Sequence, residues 1–127
     1  MLEKHLFEYA VIRVVPRVER EEFLNAGVIL FCKKAKFLKA KFHLQKERIH
    51  ACCSDVDLQE IEKQLRSFER ICAGSNDGGP IAELDAPSRF RWLTATRSTI
   101  VQTSKVHPGF CINLEETLER LHQQLVL

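Results

Sequence analysis

Residues 7 to 15 alternate aromatic and β-branched side chains, and they leave apolar groups on both faces of an extended chain. Phe7, Tyr9, Val11 and Val15 share one face with Arg13, while Ala10, Ile12 and Val14 share the other. A strand that is apolar on both sides belongs inside a sheet, so this segment commits the chain to a sheet with residues 7–15 as a central strand. Pro16 ends it, because proline brings no N–H to a ladder. Arg13 inside such a strand needs an acceptor, and Glu22 is the candidate.

Residues 20–25 are too few for a helix and predict a single turn, with Asn25 capping it through its side chain. Gly27 then opens the apolar run Val28-Ile29-Leu30-Phe31-Cys32, a second strand. A glycine there points to a positive backbone angle or to close approach by another segment or ligand. Residues 37–44 predict a third strand, with Leu38, Ala40, Phe42 and Leu44 facing the core and Lys39, Lys41 and His43 facing out. The second and third strands form an antiparallel hairpin whose exposed face is basic.

The best-specified helix spans 55–72. Ser54 caps it, Asp57 completes a capping box, and Leu58, Ile61, Leu65, Phe68 and Cys72 make one apolar stripe before Gly74 stops it. Residues 75–80 read as a loop and 97–103 as a fourth strand. A last helix runs over 114–125, with Asn113 as its cap and leucines at 114, 118, 121 and 125. The expected fold is α+β, a mostly antiparallel sheet of about four strands with two main helices packed on one face.

The 127 residues suit one domain, 1–127, and 45% hydrophobic with 28% charged residues argues against disorder. No apolar run suits a membrane span and no secretory signal is visible, so no membrane role is expected. Five cysteines without regular spacing predict free thiols and a cytoplasmic protein. A net charge of +2 hides a segregation. In residues 33–48 seven cations (Lys33, Lys34, Lys36, Lys39, Lys41, Lys46, Arg48) face one acid, Glu47, a balance of +6. In residues 55–73 five acids face Lys63, Arg66 and Arg70, a balance of −2.

The segment Arg89-Phe90-Arg91-Trp92-Leu93-Thr94-Ala95-Thr96-Arg97-Ser98-Thr99-Ile100-Val101-Gln102-Thr103-Ser104-Lys105 holds the only tryptophan, four cations and no acid. Together with the earlier block at 9–31 it resembles the bacterial domain-of-unknown-function family 3037. Glu22, Asn25, Gly27 and Val28 carry the first pattern; Arg89, Phe90, Leu93, Arg97, Ser98, His107 and Gly109 carry the second. The resemblance implies no established activity. It implies a partner, since such genes often lie beside one for a kinase-like protein resembling the HipA toxin kinases.

Arginine forks beside hydroxyls commonly grip phosphate or carboxylate. Arg89, Arg91 and Arg97 with Ser98, Thr99 and Gln102 are therefore a candidate anion or partner site, joined by His107 and supported by Arg13, Glu22, Asn25 and Gly27. The plainer alternative packs Phe90, Trp92 and Leu93 under the sheet and pairs the arginines with helix acids. Lys33, Lys34, Lys36, Lys39 and Lys41 could track a nucleic-acid backbone, although only Phe37 could stack outward beside them. The same lysines would protect a sheet edge. His50-Ala51-Cys52-Cys53 lacks a second spaced pair, so no metal or cofactor is expected. Cys111 near His107 has no visible oxyanion hole, His107-Pro108-Gly109 reads as a turn, and His5, His43 and His122 read as surface residues. The leading expectation is a non-enzymatic cytoplasmic protein-binding partner or regulator, with a HipA-like kinase as the implied partner. A nucleic-acid-binding module using the basic hairpin and an enzyme acting on a phosphorylated or anionic small molecule are the alternatives.

Overall fold

The computed structural model describes residues 3–127. Its elements run β1 (His5–Val14), β2 (Leu24–Cys32), β3 (Phe37–Phe42), α1 (Lys46–Cys52), α2 (Leu58–Ala73), α3 (Ala86–Leu93), β4 (Val101–Thr103), β5 (His107–Cys111) and α4 (Leu114–Leu125). Single 3-10 turns lie at Val18–Arg20 and Pro80–Glu83. The fold is α+β, built on one open antiparallel sheet in the order β3-β2-β1-β4, with β5 also paired to β1. No helix among the described residues is long and apolar enough to cross a membrane.

β1 is the central strand, as its two apolar faces require. It pairs β2 along one edge, Glu8 opposite Phe31 through Val14 opposite Leu24. Along the other edge it pairs β4 near Ile12–Val14 and β5 near His5–Tyr9. The alternation then divides the core. Ala10, Ile12 and Val14 of β1 with Ile29 and Phe31 of β2 lie under Ile61, Leu65 and Phe68 of α2 and Phe90 and Leu93 of α3. Phe7, Val28, Leu30 and Cys32 lie under Leu114, Leu118 and Leu121 of α4.

The two main helices therefore occupy opposite faces of the sheet, not one face. The physical reason is already in β1 and β2. Both strands are apolar on both sides, and each buried isoleucine or leucine gains roughly 1.5–3 kcal/mol only if something covers it. A helical stripe says which side of a helix is apolar and nothing about which side of a sheet it meets.

Local signals set most boundaries. Asp57, rather than Ser54, caps α2, its carboxylate accepting from Glu60 N–H at 3.2 Å. At the other end Gly74 adopts φ 68°, and Gly74 and Ser75 N–H donate to the carbonyls of Ile71 and Arg70. Asn113 caps α4 through Glu116 N–H at 3.1 Å, as its sequence suggests. Two short helices escape periodicity. α1 buries only Ile49, and α3, capped by Asp85, buries only Phe90 and Leu93. The fourth strand shrinks to Val101–Thr103, because Thr99 and Gln102 side chains close the preceding turn. A fifth strand, β5, takes up His107-Pro108-Gly109, which the sequence marks as a turn. Gly109 serves packing there, since a Cβ would lie 2.6 Å from the Phe7 ring.

His122 is not a surface residue: it is 2% exposed on the sheet side of α4. Burial, with Lys41 and His43 adding to it, lowers its pKa below the usual value, and Glu119 opposes them. The neutral ring thus contributes stability that is complete above the ordinary histidine pKa of about 6.5 and is lost as pH falls from there toward the lower folded value. Urea unfolding at descending pH should show this loss before the carboxylates held low in the fold begin to protonate. His122→Gln should remove the loss; an unchanged slope in that variant would assign it elsewhere.

Candidate functional site

The arginine block does not close into one clamp. Arg89 on α3 turns its guanidinium to the C-terminal end of α2, within 3.2 Å of where a Gly74 Cβ would stand, and donates to Leu84 O at 2.6 Å. Cationic groups are favoured at that negative end of a helix dipole. Arg91 is exposed and helps hold the Asp85 carboxyl below its usual pKa, behind the larger effect of the Ser88 hydrogen bonds. Arg97 lies over the Trp92 ring at 4.3 Å and donates to the carbonyls of Trp92 and Ala95. Thr99 donates to Val101 O at 2.7 Å and Gln102 to Thr99 O at 2.7 Å, while Ser98 is exposed. These hydroxyl and amide groups shape a turn. Arg89 Nη1 and the Arg97 guanidinium donate to backbone carbonyls, not to helix acids as the plainer alternative has it, and Arg89 Nε is buried without a partner among the described residues. Of the three apolar residues, Phe90 and Leu93 are buried while Trp92 remains partly exposed.

The two sequence blocks meet elsewhere. Arg13 pairs with Asn25 across β1–β2 and with Gln102 across β1–β4, so these three side chains form one row on the α4 face. Arg13 stacks over the Phe23 ring at 3.9 Å, and Glu22 is not its acceptor, since Glu22 pairs with Arg20. Exposed Glu22 finds a nearer guanidinium two residues away, whereas Phe23 covers the Arg13 head. Asn25 lies within β2 and donates to Leu125 O at 2.9 Å, so it ties down the end of α4 instead of capping a turn. Arg13 Nε and Asn25 Oδ1 are buried without a hydrogen-bond partner among the described residues. Gly27 serves close approach, with no positive φ: β3 passes against it. His107 on β5 stands beside the Tyr9 ring, centroids 5.4 Å apart.

The basic hairpin is covered on its outward face by α4. Lys39 pairs with Glu115 at 3.0 Å and Lys41 with Glu119. Phe37 leans on the α4 core and is unavailable as an outward stacking platform. Lys33, Lys34 and Lys36 are exposed in the turn, and no acid lies within ion-pair distance of them among the described residues.

A cavity of about 570 Å³ lies between the β1–β2 connection and the end of α1. Arg17, Arg20, Glu22, His50, Cys53 and Asp55 line it, but its charges pair with one another. Arg17 meets Asp55 at 3.4 Å, Arg20 meets Glu22, and the Cys53 thiol donates to Asp55 at 2.7 Å. Hydrogen bonding from Cys53 and the Arg17 charge hold the Asp55 carboxyl below its usual pKa. Cys72 is a core residue of α2, and burial pushes its thiol up to about 12. Among the described residues, no group of three or more His, Cys, Asp or Glu is placed to hold a metal ion.

A different surface is exposed and apolar. Leu6 stands directly opposite Phe110 in the β1–β5 ladder, and they are 57% and 70% exposed. Ile112, 51% exposed, follows just beyond β5. Phe110 and Ile112 also wall a cavity of about 540 Å³ with Lys4, Glu116 and Arg120. The missing signal was the pairing of β5. With residues 107–109 taken as a turn, nothing in the sequence sets Phe110 beside Leu6.

The model of a family described as "Protein of unknown function (DUF3037)" matches residues 9–126, from the middle of β1 to the end of α4. The chain belongs to the DUF3037 family. No curated protein and no solved structure matches it. The DUF3037 match takes in both sequence blocks, and therefore the Asn25-Arg13-Gln102 row and the Gly27 contacts.

Proposed function

We propose that this DUF3037 domain is a non-catalytic protein-binding module of the cytoplasm, docked by its partner at the Leu6-Phe110-Ile112 patch. The exposed apolar pair Leu6 and Phe110 carries the reading. Adjacent large apolar groups left in water are a common mark of an interaction surface. Lys4 and Arg120 beside the same cavity favour a partner whose apolar anchor is flanked by acids. Five free thiols support the cytoplasmic setting. A HipA-like kinase, implied by the family resemblance, is the first partner to test.

Phe110→Asp should leave the melting temperature nearly unchanged, because the side chain is exposed, and should weaken binding to such a kinase by about a hundredfold or more, as loss of a central aromatic anchor does. Isothermal titration with the purified pair measures both affinities. Equal affinity for both proteins would move the interface elsewhere, and no binding by either would remove this kinase as partner. Nucleic-acid binding is less supported, since α4 acids already pair Lys39 and Lys41. The anionic-substrate reading is weakened by the separation of Arg89 from Arg97.

A further inference from the structure

The far edge of the sheet carries an inference beyond the Leu6-Phe110 surface. Among the described residues β3 pairs only with β2 and ends the sheet, while α2 and α4 pack against it. His43 N–H donates to Ala26 O, which sets the phase of the ladder. Phe37, Lys39 and Lys41 therefore exchange hydrogen bonds with β2, while the N–H and C=O groups of Leu38, Ala40 and Phe42 point outward. No protein donor or acceptor meets those outward groups among the described residues. The side chains of the same three residues are half-buried toward α2, beside a cavity of about 420 Å³ that Glu69, Cys72 and Ala73 also line. The opposite edge is unsuited to such pairing, because β5 carries Pro108 and an extra residue interrupts the strand between β4 and β5.

We propose that β3 is a docking edge for an extended segment of a partner protein, added antiparallel as a further strand, with apolar side chains toward α2 and acidic residues just past its C-terminal end. The backbone bonds would supply affinity and the alternate side chains specificity. An antiparallel segment ends next to the β2–β3 turn, where Lys33, Lys34 and Lys36 have no acid paired to them. That charge selects the acidic tail. A second copy of the chain is a poorer occupant. Side chains must keep their faces across a two-fold, so Lys39 would stand opposite Lys39 or Lys41 of the other copy.

The test uses the full chain and a synthetic peptide alternating valine and threonine with a C-terminal glutamate tail. Saturable binding is expected, with amide exchange slowed at Leu38, Ala40 and Phe42. Moving the glutamates to the N-terminus, or exchanging them for lysines, should weaken binding by about tenfold or more. Ala40→Pro removes an outward N–H and leaves the β2 ladder its donors, so it should abolish binding in a folded protein. If that variant unfolds, N-methylation of the peptide on the side facing β3 gives the same test with the protein unchanged. Absence of saturable binding, indifference to these changes, protection at Phe110 instead, or self-association through β3 would each overturn the proposal. Absence of saturable binding, or indifference to these changes, leaves the kinase titration untouched, so the two readings fail separately.

Discussion

Gly27→Ala is expected to cost the domain about 2–3 kcal/mol, a large effect for one methyl group. The added Cβ would lie 2.5 Å from Lys41 O, 3.0 Å from the Phe42 ring and 3.3 Å from Ile12 Cδ1. The nearest of these is backbone, which cannot swing aside as a side-chain end can. Gly27 is opposite both Ile12 and Phe42, so β2 is held on both edges at this point. Relief requires β3 to move outward, which would loosen the Lys41 bonds and the packing of Phe42 on Phe68, whose rings meet edge-on at 6.0 Å. Urea unfolding followed by circular dichroism measures the change in midpoint at constant slope. A loss under about 0.5 kcal/mol, the range of ordinary surface substitutions, would show that the hairpin yields freely there.

Ser104→Ala should cost about 2 kcal/mol, because it strands a buried donor. Ile12 pairs with Thr103 and Tyr9 with His107, so three steps along β1 match four along the edge strand. One residue is extra, and the ladder is interrupted there. Ser104 repairs it. Its N–H donates to Val11 O at 2.8 Å, and its hydroxyl accepts from Val11 N–H at 2.9 Å while donating to Lys105 O. Ser104 is 7% exposed, so water does not readily replace the lost acceptor. The expected readout is a lower melting temperature together with faster amide exchange at Val11. Ser104→Thr should retain most of the stability, since it keeps the hydroxyl. Unchanged Val11 exchange in the alanine variant would refute the role given to the side chain.

The legible parts of the fold are those with strong local periodicity. The two-sided apolar pattern of β1, the run Val28 to Cys32, the alternation of β3 and the stripes of α2 and α4 all appear in the structure where the residues place them. α1, α3 and β5 were not legible, because each is held by a few distant contacts. Phe90 of α3 stacks on Phe31 at 5.0 Å, and β5 exists only through its pairing with β1. The arginine block misled for a related reason. Its cations and hydroxyls have the composition of an anion site, but composition carries no direction. Arg89 turns to the end of α2 and Arg97 to Trp92.

The amino-acid order alone settled the class of the fold, the central strand, the hairpin and the family, since each rests on spacing between near neighbours or on matched residues along the chain. Folding in three dimensions assigned α2 and α4 to opposite faces, brought Arg13, Asn25 and Gln102 into one row, set Leu6 beside Phe110 and left the edge of β3 open. Those outcomes depend on which distant surfaces cover which, and that choice is made by the packing of the whole core rather than by any one segment.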